Sequence, residues 1–294
     1  MKLPHYQDYR AEDTERCEQA LLTVWARLRD FAGDLVLIGG LVPRYICLNR
    51  PGEYPARTID VDIGIALCAG AGLYDTISTR LMNEDFERKA GTARFEKLFG
   101  NVTLHIDFLT EKQSEDDPDA RMVDDIPAQA IMGLDRALAL ARTVLISGCD
   151  LRGAEVTEQV RICEVGPFIV LKLAAYAGRA EGKDVFDVVR CALDYSEGYE
   201  KAIRLFRAEA GVNGAHFKAE QILVERFASE NGKGPADYAE FCLAAQRAQL
   251  NDSDFRQLYQ QRAQEALLLA KRLRNGSSRS FEFLEFSSDQ ICCK

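Results

Sequence analysis

A chain of 294 residues with 47% hydrophobic side chains can bury a sizeable core, in one two-lobed unit or two modest domains. Its net charge of −9 disfavours generic nucleic-acid binding, which depends on neutralising phosphates. Nine cysteines without paired metal-type spacing argue for reduced thiols and against zinc, while the lack of a signal-like N-terminus and of any ~18-residue apolar run predicts a soluble cytoplasmic protein with no membrane partner.

The first legible element is the apolar run Leu35-Val36-Leu37-Ile38, a strand entering the diglycine Gly39-Gly40 and then a helical stretch over 41–49. A diglycine at such a junction lets backbone N–H groups approach a phosphate, and equally suits a tight turn with no ligand. Next comes Arg57-Thr58-Ile59-Asp60-Val61-Asp62-Ile63, where an alternating strand turns Asp60 and Asp62 to one face. Paired carboxylates repel, and a hard divalent cation is the usual way to keep both ionised. A third acid follows in a strand over 101–109, where Val102, Leu104, Ile106 and Phe108 alternate with Thr103, His105 and Asp107. If that strand lies beside the first pair, three carboxylates converge on one or two cations, with Asp107 placed as general base for an attacking hydroxyl.

The segment from Gly166 to Arg179 predicts a mostly buried helix, with Pro167 near its start and Lys172, Tyr176 and Arg179 at i, i+4 and i+7. Buried cations need anionic partners, either acids of this protein or the phosphates of a nucleotide. The following helix opens on Lys183, with Asp184 and Asp187 three residues apart on one face, where Asp184 also suits a helix cap.

The order of these pieces, from Gly39-Gly40 through Arg57-Thr58-x-Asp60-x-Asp62 and Asp107 to Lys172-Leu173-x-Ala175 and Lys183-Asp184-x-x-Asp187, resembles the AbiEii/AbiGii-type nucleotidyltransferases of the polymerase-β-like superfamily. The likeness spans roughly residues 30 to 195. It implies an α/β (α+β) nucleotidyltransferase core with a mixed sheet, followed by a C-terminal helical bundle lobe. It further implies Mg²⁺ (or Mn²⁺) on Asp60, Asp62 and Asp107, catalytic roles for Asp107 and Lys172, and nucleotide binding by Gly39, Gly40, Arg57, Lys172, Lys183, Asp184 and Asp187. Many relatives carry Ser or Thr after the glycines, where this chain has Leu41. The family includes toxins of toxin–antitoxin and phage-defence systems, some acting on the 3′ end of tRNA. An NTP, an RNA acceptor and a cognate antitoxin protein are therefore the implied partners.

Residues 1–169 hold 19 Lys/Arg against 28 Asp/Glu, and residues 170–275 hold 16 against 15, so an RNA acceptor would need a local basic surface. Arg179, Lys183, Arg190, Lys271, Arg272 and Arg274 are the candidates. Apolar periodicity predicts helices over 199–210, 217–228 and 255–273, with breaks at 211–214 and 231–235. The expected organisation is a catalytic core over 1–150, a helical lobe over 151–275 joined to it through 147–158, and a tail over 276–294. In that tail Phe281, Phe283, Leu284 and Phe286 suit docking, and Cys292-Cys293 suits an exposed thiol pair. The alternatives to an RNA-directed enzyme are a catalytically weak nucleotide- or partner-binding regulator and a transferase acting on a small hydroxylated compound.

Overall fold

The computed structural model describes residues 5–48, 58–66, 75–89, 91–123 and 126–275. Arg57, Asn49, Cys68, Cys292, Cys293 and the expected tail over 276–294 lie outside the described residues. The protein is mixed α/β, with an open mixed sheet followed by a helical C-terminal region.

Helix α1 (Ala11–Arg27) comes first and is not among the elements expected from the sequence. Its buried stripe of Cys17, Leu21, Val24 and Trp25 follows helical spacing and packs on the sheet. Strand β1 (Leu35–Ile38) is buried at every position, as befits a central strand. The diglycine then forms a tight turn and a single helical turn, α2 (Pro43–Ile46), in place of the longer helix expected over 41–49. Pro43 starts that turn with its fixed φ, and Cys47 leaves it to bridge Tyr195.

Strand β2 (Asp60–Ile65) runs antiparallel to β1. After α3 (Asp75–Met82) come β3 (Glu87–Arg88), β4 (Arg94–Phe99) and the long β5 (Val102–Glu111). Strands β6 (Ala120–Val123) and β7 (Ile126–Ile131) form a side ribbon on β5, followed by α4 (Leu134–Ala139). A hairpin of β8 (Arg142–Cys149) and β9 (Glu155–Ile162) completes the order β3-β4-β5-β2-β1-β9-β8.

That hairpin corrects the expected boundary between the parts. Residues 147–158 do not connect two lobes; they pair with one another in the sheet, and β9 lies parallel to β1. The change from sheet to helices comes after Ile162 rather than at 150. Glu158 obscured the strand, because a buried acid reads as a loop residue until its ion pair with Arg29 is seen.

Helices α5 (Val165–Arg179), α6 (Gly182–Leu193), α7 (Tyr199–Ala208), α8 (His216–Arg226), α9 (Lys233–Leu243) and α10 (Asp252–Asn275) make up the helical part. The break expected over 231–235 is shorter, since α9 begins at Lys233 and carries Gly234 and Pro235 in its first turn. Gly234 is needed there: a Cβ would lie 2.4 Å from the Phe227 ring. Among the described residues no helix is long and apolar enough to cross a membrane.

Candidate active site

Strands β2 and β5 lie side by side and parallel, with Asp60 opposite His105 and Asp62 opposite Asp107. Val61 and Ile63, like Ile106 and Phe108, are buried, so the alternation leaves all three acids half-buried on the same side of the sheet. Further along that side Gly64 takes the place of a side chain. A Cβ there would meet Leu134 Cδ1 and Val36 Cγ1 at 2.8 Å, so α4 covers that end and the acid pair lies beyond the cover.

The diglycine fits against the acids. Gly39 has φ +75, the left-handed region that favours glycine, and a Cβ there would lie 1.8 Å from Asp62 Oδ2. A Cβ on Gly40 would lie 2.9 Å from Thr58 Oγ1 and 3.1 Å from Lys183 Nζ. Any side chain at 39 would therefore displace the Asp62 carboxylate, and any at 40 would press on Lys183. Thr58 braces the start of β2: its hydroxyl accepts from Asp60 N–H (3.2 Å), and its carbonyl accepts from Thr14 Oγ1 of α1 (3.2 Å). Leu41, directly after the diglycine, is fully buried in the core.

Helices α5 and α6 supply a buried charge network. Lys172 Nζ donates to Asp187 Oδ2 at 2.6 Å and lies 3.8 Å from Asp184 Oδ1. Lys183 Nζ donates to the same Asp187 oxygen at 2.8 Å, and Arg179 holds Asp184 with two 2.6 Å hydrogen bonds. Burial alone would lower the Lys172 ammonium, but Asp187 and Asp184 outweigh it and hold its pKa above the ordinary lysine value. Burial likewise pushes Asp187 up, and Lys172 with Lys183 pulls it below the usual carboxylate range. Of the two expected acceptors for these cations, the acids of the protein take them. The ammonium lying against the diglycine is that of Lys183, with Lys172 behind it across Asp187. Tyr176, also on α5, donates to Asp237 at 2.6 Å.

Arg94 is the residue that sequence reasoning missed. It sits opposite Asp107 in the β4–β5 ladder and clamps that carboxylate with Nε–Oδ1 at 2.8 Å and Nη2–Oδ2 at 2.6 Å. The same Nη2 is 3.7 Å from Asp60 Oδ1, so one guanidinium spans the first and third acids. The only sequence signal is an arginine alternating with the buried Phe95 in a strand just before Asp107. His105 lies on the same side, and its pKa is lowered by burial and then by Arg94.

Burial, and then the Asp62 charge, raises the pKa of Asp60, and its Oδ1 is buried without a hydrogen-bond partner. A carboxylate oxygen with no hydrogen bond, 3.7 Å from Arg94 and beside a second acid, is a donor set that fits a hard divalent cation. Asp107 stands next to them in register but engaged by Arg94, and among the described residues no three His, Cys, Asp or Glu side chains are gathered as a metal cage. Asp60 and Asp62 are the side chains that would ligate such a cation, and Asp107 would reach it only by leaving Arg94.

The expected basic surface is largely spent on internal pairs. Arg179 binds Asp184, Arg190 binds Asp194 at 3.0 Å, and Arg272 is buried, whereas Lys271 and Arg274 are exposed at the end of α10. Compared with known proteins, the chain matches no family model and no curated sequence.

Proposed function

We propose that this chain is a metal-dependent nucleotidyltransferase, moving a nucleoside monophosphate from an NTP to an acceptor hydroxyl with release of pyrophosphate. The observation that carries this reading is the register of Asp62 against Asp107 on adjacent parallel strands, facing a diglycine whose other neighbour is a buried lysine. Carboxylates beside a close-approach backbone and a cation are the parts that phosphoryl transfer needs, since its catalysis is mostly positioning and charge stabilisation.

Asp60 and Asp62 would hold Mg²⁺ or Mn²⁺, which when bound would neutralise triphosphate charge and lower the pKa of an attacking oxygen. Gly39 and Gly40 let the backbone approach the phosphates, and Lys183 sets a positive charge beside them. Asp187 fixes Lys183, and Lys172 holds Asp187 in place from its other side through the same carboxylate oxygen, so Lys172 acts as a positioning residue. Asp107, freed from Arg94, accepts the acceptor hydroxyl proton. In keeping with the resemblance, we take the acceptor to be RNA, at the 3′ end of tRNA, with a toxin role and a cognate antitoxin as its biological setting.

The test is incubation with each of the four α-labelled NTPs, Mg²⁺ and total cellular RNA, alongside a metabolite extract. Label on RNA that disappears in Asp62→Ala, while the circular dichroism of the variant is unchanged, is the expected result. Label on metabolites alone would move the acceptor to a small hydroxylated compound. No transfer from any NTP would refute the enzyme. The Arg94 clamp on Asp107 favours one second reading, a nucleotide-binding regulator in which that acid never reaches a metal.

A further inference from the structure

We propose that Cys47 and Cys191 are a redox site whose disulfide staples the diglycine segment to helix α6. Their Sγ atoms touch at 3.5 Å, with one thiol from the sheet part and the other from the helical part. The backbone around them is already held together: Leu48 N–H donates to Asp194 O at 2.7 Å, Ser196 N–H donates to Ile46 O at 2.9 Å, and Cys47 bridges Tyr195. Reaching a disulfide length of about 2.05 Å asks the two sulfurs to move by roughly an ångström and a half, within the range of side-chain rotation.

The place of the pair gives the bond its meaning. Lys183, Asp187 and Cys191 follow one another at four-residue steps and so share a face of α6. Lys183 lies against Gly40 at one end of that face, and Cys191 lies against Cys47 at the other. A bond at 47–191 would therefore fix α6 along the whole segment that begins at the diglycine.

The two thiols are unequal in a way that sets the order of steps. Cys47 is partly exposed, whereas Cys191 is fully buried, its thiol pushed well up by burial and then by its contact with Cys47. Hydrogen peroxide reaches Cys47 first: the thiolate attacks one peroxide oxygen, the O–O bond breaks, and the hydroxide released takes up the thiol proton, so that a sulfenic acid and one water result. Cys191 sulfur then displaces the sulfenic oxygen, the S–S bond forms, and the Cys191 proton leaves with hydroxide as a second water. Two thiols lose two electrons and two protons, and the peroxide is reduced to two waters. A thiol reductant reverses the bond by exchange.

The cross-link stands on its own geometry and is independent of the transferase reading. The full chain is treated with hydrogen peroxide, alkylated in denaturant, digested with trypsin and analysed by mass spectrometry without reduction. The expected product joins the peptide of residues 45–57 to that of residues 191–201, each of which carries one cysteine, and dithiothreitol removes it. Amide exchange over 43–48 and 187–195 is expected to slow by about tenfold in the oxidised monomer, as for a segment whose local opening is suppressed. Cys47 and Cys191 remaining fully alkylatable, Cys47 stopping at sulfinic acid, or Cys191 pairing with Cys163 would each overturn the site. A cross-link with unchanged exchange would overturn its role as a staple.

Discussion

Arg94 gives Asp107 the counter-charge that a divalent cation would otherwise give it. Its guanidinium is held by two short bonds to Asp107 and its Nη2 also approaches Asp60, so a cation entering between the acids meets a positive charge already in place. Arg94 is about a quarter exposed, so solvent screens part of that opposition. Arg94→Gln keeps the size and some hydrogen bonding and removes the charge. It is expected to tighten Mn²⁺ binding by about tenfold, or ~1.4 kcal/mol, in calorimetric titration of the NTP-free protein. Unchanged affinity would show that Arg94 does not compete with the metal, whereas absent binding in both proteins would instead remove the metal from the reading of Asp60 and Asp62.

Helices α5 and α6 illustrate what was legible at the scale of elements and what was not. The two helices, β2 and β5 are local patterns, and alternation puts Asp60 with Asp62 on one face and His105 with Asp107 on another strand's face, whereas the pairing of β2 with β5 that joins the three acids is not local. Partner choice is not local. The sequence shows that Lys172, Arg179, Asp184 and Asp187 lie on helices, but only the packing of α5 on α6 decides that the cations meet those acids. Arg94 escaped for the same reason: its meaning lies in the β4–β5 register. Helix α1 escaped because its long polar face masks its buried stripe.

This network yields a prediction with a defined sign. Asp187 titrates below its unfolded value, so its contribution to stability is complete above the ordinary aspartate pKa and is lost as pH falls through the lower folded value. Lys172 titrates above its unfolded value, so its contribution is complete below the ordinary lysine pKa and fades as pH rises through the higher folded value. Asp187→Asn leaves two buried ammonium groups short of a counter-charge and is expected to cost ~3–5 kcal/mol in urea unfolding at pH 7. Lys172→Met leaves the Lys183–Asp187 pair intact and is expected to cost less. Equal losses in the two variants would mean that the Lys183–Asp187 pair adds no stability once Lys172 is gone.

Across the whole molecule, two of the places where the sheet meets the helices differ in kind. One is the seam of α6 against the segment from Gly40 to Cys47. The other lies where Arg136 of α4 forks onto Glu209 just after α7, with Nε–Oε2 at 3.1 Å and Nη2–Oε1 at 3.2 Å. Glu209 is 1% exposed and also accepts from Asn213 Nδ2 at 3.0 Å, whereas Arg136 is a quarter exposed. The asymmetry sets the outcome of mutation. Arg136→Ala strands a buried carboxylate that cannot turn to water, and is expected to lower stability by ~3 kcal/mol. Glu209→Gln keeps hydrogen bonding to Asn213 and frees an arginine that reaches solvent, and is expected to cost ~1 kcal/mol. Urea unfolding followed by Trp25 fluorescence from the sheet side and by helical circular dichroism reads both effects. Coincident transitions in the parent chain, parting in Arg136→Ala, would show this ion pair coupling the two parts; transitions that stay coincident would assign the coupling to the α6 seam.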